Sequence, residues 1–247
     1  MKFSTLHPRL IAFLLLAVSL ALYGINYLVF GDMPAIETGF LGNLAFLPVY
    51  VLFVTLMIER VIKERERIAV RQKLNMVIGV FFSEAGTELL RHLTVFLLDS
   101  EELKHRLMVS SHWEDRDFQK AATFLLDYQL KIESRKGDLT RLRHFLKGKR
   151  DLMLRLLENP NLLEHDDFTD LLWAVFHLSQ ELEARQELTG LPGTDLNHLS
   201  GDINRAYAYL LREWIVYMRH LKNDYPYLFS LAVRTNPMCR EVKAEVA

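Results

Sequence analysis

One stretch of sequence decides the fold, FLGNLAFLPVYVLFVTLMI at residues 40–58, followed at once by ERVIKERERIAVRQK at residues 59–73. The first part carries no charge over 19 residues. As a helix it is roughly 28 Å long, which is close to the thickness of the hydrocarbon core of a bilayer. The second part is highly charged and lacks Pro and Gly. The pattern therefore predicts a membrane span that continues into a charged juxtamembrane helix over residues 60–75.

A second uncharged run, residues 10–30, lies upstream and is also long enough to span. The connection at residues 31–39 contains acidic residues but no Lys or Arg, and its shortness predicts a transmembrane hairpin over residues 1–59. Basic residues concentrate after the hairpin, at Arg60, Lys63, Arg65, Arg67, Arg71 and Lys73. The positive-inside rule then predicts a multi-pass protein of the cell (inner) membrane with both termini in the cytoplasm. These basic side chains also suit anionic lipid headgroups at the membrane surface.

Cleavage as a signal peptide is the alternative for the first run, because Ala17-Val18-Ser19 resembles a cleavage site. The sequence leaves open whether residues 1–20 are removed. The region after the second span is expected in the cytoplasm either way. The only strongly polar residues of the two runs are Asn26 and Asn43, which can hydrogen-bond between helices. Spans without buried charge do not favour ion or proton transport.

The remaining composition excludes several classes of protein. The net charge is −1 and no basic stripe is present, so no nucleic-acid partner is predicted. The single cysteine, Cys239, excludes an intrachain disulfide and any metal site built from several cysteines. No nucleophile or phosphate-loop motif is found, so no catalytic residue and no cofactor is predicted.

Residues 76–235 read as amphipathic helices separated by turns, and no segment alternates as a strand would. Start signals are Ser111 with Glu114 as a capping box, Asp138, and Asp166 or Asp167. The sequence GLPG at residues 190–193 is the clearest turn, and the helix after it carries an apolar stripe. The predicted stripe consists of Leu196, Leu199, Ile203, Tyr207, Leu210, Trp214, Tyr217 and Leu221. We therefore predict an all-α protein in which the hairpin precedes a cytoplasmic antiparallel helical bundle, with a polar tail at residues 236–247.

Histidines with a carboxylate one helical turn away are the candidate metal ligands, because that spacing places both groups on one helix face. Five such pairs occur: Glu88/His92, Glu102/His105, His177/Glu181, Asp195/His198 and His198/Asp202. The residues retained as candidates are Glu88, His92, Glu102, His105, His198 and Asp202. Only half of a di-metal bundle motif is present. The alternative is that each pair is a solvent-facing ion pair of small energetic consequence.

A second candidate is the polar group Ser83, Glu84, Thr87 and Glu88, which directly follows a very apolar run. A buried Glu84 would have a raised pKa and would need a partner. The alternative is that the polar face of a helix begins there.

These observations favour a membrane-anchored, non-enzymatic helical module that binds a protein partner or self-associates at the inner face of the membrane. The alternative is a membrane-associated metalloenzyme or sensor that uses a carboxylate/histidine site in the bundle. A third hypothesis is that residues 59–82 act on lipids or on the cell envelope at the membrane surface.

Overall fold

The computed structural model describes residues 8–31, 33–160, 162 and 165–239. Among these residues every regular element is a helix, and a lone bridge between Leu97 and Ile132 is the sole strand-like pairing. The all-α prediction is therefore confirmed. The α-helices are α1 (Pro8–Phe30), α2 (Met33–Phe81), α3 (Thr87–Thr94), α4 (Glu101–Arg106), α5 (Asp115–Asp127), α6 (Leu139–Gly148), α7 (Arg150–Leu157), α8 (Asp166–Ala184), α9 (Gly193–Asp224) and α10 (Pro226–Arg234).

The chain divides into two units, Met1–Arg67 and Ile68–Ala247. In the first unit, α1 ends where Gly31 takes a positive φ of +64°, and the N–H of Gly31 donates to the carbonyl of Tyr27 at 2.9 Å. This glycine stop is a common way to end a helix. The helix α2 already begins at Met33, so the predicted nine-residue connection at 31–39 is wrong in length. The predicted continuation of the apolar run into the charged segment is confirmed, because α2 is unbroken through Pro48 and on to Phe81.

Among the described residues, one helix, within Pro34–Thr94, is long and apolar enough to cross a membrane, and a shorter apolar stretch occupies Ala17–Val29. None of the most apolar window of the longer helix is buried. Leu41 and Phe53, for example, are 64% and 67% exposed. A core helix of a water-soluble protein would bury such side chains.

In the second unit, α9 is the central helix and packs against α3, α5, α8 and α10, while α6 and α7 pack against α8. Most of the stripe predicted for α9 is buried, namely Leu199, Ile203, Tyr207, Leu210, Trp214 and Leu221. Leu196 and Tyr217 are only partly buried. The buried face is wider than the predicted stripe, because α9 has neighbours on several sides and also buries Ala206, Leu211, Ile215 and Met218.

Two helices end earlier than their apolar patterns predict. The apolar pattern that begins near residue 74 continues to Phe96, but α3 ends at Thr94. The pattern of α5 continues to Ile132, but α5 ends at Asp127. The segments that follow them hydrogen-bond to each other instead. Leu98 donates its N–H to the carbonyl of Lys131, and Glu133 donates to Phe96, both at 2.9 Å. Long-range pairing of this kind leaves no local trace in the sequence.

Of the three predicted helix caps, two are wrong and one is confirmed. At α5 the cap is Glu114 rather than Ser111, because a tight turn occupies residues 110–113 and the Glu114 N–H donates to Asp117 Oδ2 at 3.0 Å. At α8 the cap is His165, whose Nδ1 accepts from the N–H of Phe168 at 3.1 Å. Asp138 caps α6 as predicted, and the turn before α9 has Gly190 at φ +72°.

The predicted polar tail is wrong in its first residues. Asn236 and Met238 are fully buried in the second unit, and Asn236 Oδ1 accepts a hydrogen bond from the Met238 N–H at 2.8 Å. The local sequence is polar, but the short turn after α10 folds it back into the core. Residues 240–247 lie outside the described residues.

Candidate functional site

The segment between α2 and α3 is a π-helical turn over Phe82–Gly86, which contains part of the polar group singled out from the sequence. The Thr87 N–H and its hydroxyl both donate to the carbonyl of Phe82, five residues back. Phe81 and Phe82 are fully buried, the first against Phe168 and the second stacked on Tyr217 at 4.7 Å between ring centroids. Single π turns inside helices are frequent at functional sites.

A cleft of about 790 Å³ opens beside this turn and is the main candidate binding site of the second unit. Three of the four predicted polar residues line it, namely Ser83, Thr87 and Glu88. Further polar lining comes from α3 and from the start of α6. The apolar lining comes from α9 and α10, and includes Trp214, Tyr217, Met218, Leu228 and Leu231. The volume suits a small molecule or the side chains of a docked peptide.

The hypothesis that Glu84 is buried is wrong, because its side chain is exposed and it does not line the cleft. The π turn explains this, since it places Ala85 and Gly86 rather than Glu84 on the buried side. A Cβ on Gly86 would lie 2.7 Å from ring atoms of both Phe81 and Phe82. The glycine thus packs directly against these two rings, which leave no room for a side chain at this position.

Charge in the cleft is arranged around His92 and two arginines. The His92 side chain is 14% exposed, and its Nε2 lies 3.9 Å from Glu88 Oε1. Burial, with the nearby charge of Arg141, lowers the pKa of His92, so the ring is neutral at pH 7. Arg91 donates from Nη2 to the carbonyl of Thr235 at 2.7 Å, while its buried Nε has no partner among the described residues. The cleft thus has two arginine side chains, Arg91 and Arg141, beside an apolar wall.

The predicted pair Glu102 and His105 contributes to no cluster found in the described part of the chain. Both side chains are exposed on the short helix α4. The basic residues after the second apolar run, Arg60, Lys63, Arg65, Arg67, Arg71 and Lys73, are likewise exposed. Lys63 pairs with Glu59 at 2.6 Å, within its own helix.

The predicted pair His198/Asp202 on α9 meets the pair His177/Glu181 on α8. The two helices run antiparallel here, because Glu181 lies opposite His198 while His177 lies opposite Asp202. His198 Nε2 is 3.2 Å from Asp202 Oδ2 and 3.5 Å from Glu181 Oε2. His177 Nε2 is 3.6 Å from Asp202 Oδ1 and 3.8 Å from Glu181 Oε1. We call these four residues the α8/α9 cluster.

Two arginines border the α8/α9 cluster. Arg185 donates to Glu181 Oε2 at 2.9 Å and holds both oxygens of Asp195. The hydrogen bond from Arg185 is the main reason that the pKa of Glu181 is lowered, so this carboxylate is ionised at neutral pH. Arg205 donates to Asp202 Oδ1 at 3.2 Å, and its side chain is 57% exposed.

The sequence shows both pairs of the α8/α9 cluster, but it does not show that the two pairs lie next to each other in the fold. Glu181 and His177 were therefore left out of the candidate metal ligands. Two His-x-x-x-carboxylate pairs on consecutive helices joined by a short turn were the available signal. The pairing of α8 with α9 is what the sequence pattern could not supply.

Comparison with known proteins gives two family matches. Residues 70–234 match the family model described as "Uncharacterized protein MJ1433, C-terminal helical domain", and residues 4–62 match "MJ1433, N-terminal helical domain". The gap between the two matches contains the boundary between the two structural units. No solved structure matches the chain.

A relative from Methanocaldococcus jannaschii, "Uncharacterized protein MJ1433", is 42% identical over 228 residues. The aligned region covers 92% of this chain and 92% of that protein. Both domains of the relative are thus represented here, in the same order. The chain belongs to the MJ1433 family.

Proposed function

We propose that this chain is a membrane-tethered, non-enzymatic helical module of the cell membrane. Its first unit is a transmembrane hairpin, and its second unit is a cytoplasmic antiparallel bundle that binds a protein partner through the cleft beside the π turn. The observation that carries the proposal is the long uncharged stretch of α2, whose apolar side chains are exposed to the surroundings.

The tether is supported by energetics. Each large apolar side chain left in water forgoes roughly 1.5–3 kcal/mol of burial. Many such side chains stand exposed along residues 40–58, among them Leu44, Leu47, Leu52 and Met57. Exposed apolar surface on this scale is not typical of a water-soluble monomer. A bilayer removes this cost because its hydrocarbon core is itself apolar, and a helix can enter it because nearly all of its backbone groups are hydrogen-bonded internally.

The orientation is supported by the placement of basic residues. Six of them lie within 15 residues after the second apolar run, while the connection between the runs has none. Both termini and the whole second unit would then lie in the cytoplasm. The basic side chains beyond Ile58 are exposed, which would allow them to contact anionic headgroups.

The binding role is supported by the form of the cleft. Its wall includes Leu228, Leu231 and Val95, which are apolar and partly exposed, and its rim carries Arg91 and Arg141. A protein segment with apolar anchors and a carboxylate would match both features.

The experiment is site-specific photo-crosslinking in native membranes. A photoreactive phenylalanine analogue replaces Leu231 in the cleft, or Leu126 on α5, which is more exposed but does not line the cleft. We expect a discrete protein adduct from position 231 and none from position 126. A second copy of this chain in the adduct would show self-association. Full-length protein recovered without adducts from position 231, or with the same adducts from both positions, would contradict the proposal.

A further inference from the structure

We propose that the α8/α9 cluster is a metal site for a first-row divalent transition-metal ion, best suited to Zn²⁺, in which His177, Glu181, His198 and Asp202 are the ligands. The site is independent of the cleft and of the membrane tether. The bound ion would stabilise the packing of α8 against α9 and would have a structural, not a catalytic, role.

The four side chains of the α8/α9 cluster supply donor atoms that suit zinc. Neutral imidazole nitrogens and carboxylate oxygens are established zinc ligands, and two of each give a four-coordinate site. Donor atoms of Glu181, His198 and Asp202 all lie within 4.8 Å of one another. His177 faces the same two carboxylates from the neighbouring turn of α8.

The spacing of the donor atoms is close to that of a metal site. Metal–ligand bonds of 2.0–2.1 Å at tetrahedral angles separate neighbouring ligand atoms by about 3.3–3.4 Å. The four nitrogen–oxygen distances in the cluster are 3.2, 3.5, 3.6 and 3.8 Å. His198 faces Glu181 Oε2 and Asp202 Oδ2, whereas His177 faces the other oxygens of the same carboxylates, Oε1 and Oδ1. Glu181, His198 and Asp202 therefore already approach the spacing of a metal site, and His177 would join as the fourth ligand by rotation of its side chain.

The buried carboxylate of Asp202 has one oxygen without a hydrogen-bond partner among the described residues. Asp202 is 3% exposed, and its Oδ2 accepts no hydrogen bond from any described residue although it faces His198. Leaving a buried carboxylate oxygen without a partner is costly, so such groups are usually paired or bound to a metal. Arg205 reaches only the other oxygen, Oδ1, and does so from an exposed position.

Neighbouring side chains also hold the proposed ligands in position. Arg185 donates to Glu181 Oε2, the oxygen that also faces His198, and is itself held by Asp195. Second-neighbour contacts of this type orient metal ligands and raise affinity. The imidazoles are 44% and 54% exposed, so an ion can enter from solvent. Because all four positions would be filled by protein atoms, no open coordination site would remain for a substrate.

The experiment measures zinc binding to the untagged full chain in detergent micelles, after chelation and dialysis. Zinc chloride is the only probe, and binding is followed by calorimetry and by elemental analysis. We expect one Zn²⁺ per chain, with affinity lowered about 100-fold or more in the double variant His177→Ala/His198→Ala. Histidines are chosen because, unlike Asp202, they are partly exposed and their replacement spares the core. Thermal unfolding should show zinc raising the Tm of the wild type but not of this variant.

The matched control is Glu102→Ala/His105→Ala, which removes an exposed pair of the same residue types outside the cluster. This control should keep the full stoichiometry, affinity and Tm increase. The proposal is overturned if the wild type binds no zinc, or if the cluster variant, shown to be folded by circular dichroism, binds it as tightly as the control does.

Discussion

The buried carboxylate of Glu213 predicts an unusual dependence of stability on pH. Glu213 lies on α9, is 3% exposed, and has an Oε2 without a hydrogen-bond partner among the described residues. Burial, with a smaller contribution from the charge of Asp167, raises the pKa of Glu213 from 4.5 to about 7. Between pH 4.5 and about pH 7, the folded protein therefore keeps a proton on Glu213 that the unfolded chain has already released.

The sign and size of the effect follow from linkage. An acid with a raised pKa in the folded state carries no penalty below pH 4.5, and the penalty grows as the pH rises and is complete above about pH 7. At about 1.4 kcal/mol for each tenfold change in ionisation constant, the full penalty is about 3 kcal/mol. Relative to the wild type, Glu213→Gln should thus gain up to about 3 kcal/mol of unfolding free energy between pH 5 and pH 8.

The assay is urea unfolding of the full chain in detergent, followed by tryptophan fluorescence. All three tryptophans, Trp113, Trp173 and Trp214, lie in the second unit, so the signal reports that unit. The control variant is Glu84→Gln, which removes one negative charge at an exposed position. A difference between Glu213→Gln and wild type that stays constant from pH 5 to pH 8 would refute the reasoning.

Three further substitutions test the packing of the second unit in the same unfolding assay. Gly86→Ala should cost about 1–3 kcal/mol, because its Cβ would meet two buried rings at 2.7 Å, whereas Gly79→Ala has its nearest contact at 3.9 Å and should lose nothing. Equal effects at the two glycines would disprove the close packing at the π turn. Tyr207→Phe removes the 2.8 Å hydrogen bond to Thr94 and should cost about 1 kcal/mol. Asp138→Ala removes the cap of α6 and should cost a similar amount, so an unchanged midpoint would argue against that cap.

The helices themselves were largely readable from the sequence, because apolar periodicity and turn residues are local signals. The buried positions of α9, the Asp138 cap and the turn at Gly190 all follow from spacing alone. The caps at Glu114 and His165 were missed because neighbouring residues offered an equally acceptable cap chemistry. Which residue becomes the cap depends on where the preceding segment lies in the tertiary structure.

The candidate sites were predictable in part. Ser83, Thr87 and Glu88 line the cleft as a group, yet Glu84 between them does not, because a π turn changes the register within one segment. His198 and Asp202 were identified from one-turn spacing. Their partners across the helix pair depend on how α8 and α9 align, and an isolated sequence does not encode that alignment in any short motif.

The central claim, that this chain is tethered by a membrane hairpin, is tested most directly by the sidedness of single cysteines. Cys239 is the only cysteine, so Cys239→Ser gives a clean background for Glu37→Cys and for Ala69→Cys, both at exposed positions. We expect a membrane-impermeant maleimide to label the variant at position 37 in intact cells, and the variant at position 69 only after the membrane is permeabilised. Labelling at position 69 in intact cells, or labelling of both positions only after permeabilisation, would contradict the proposed topology.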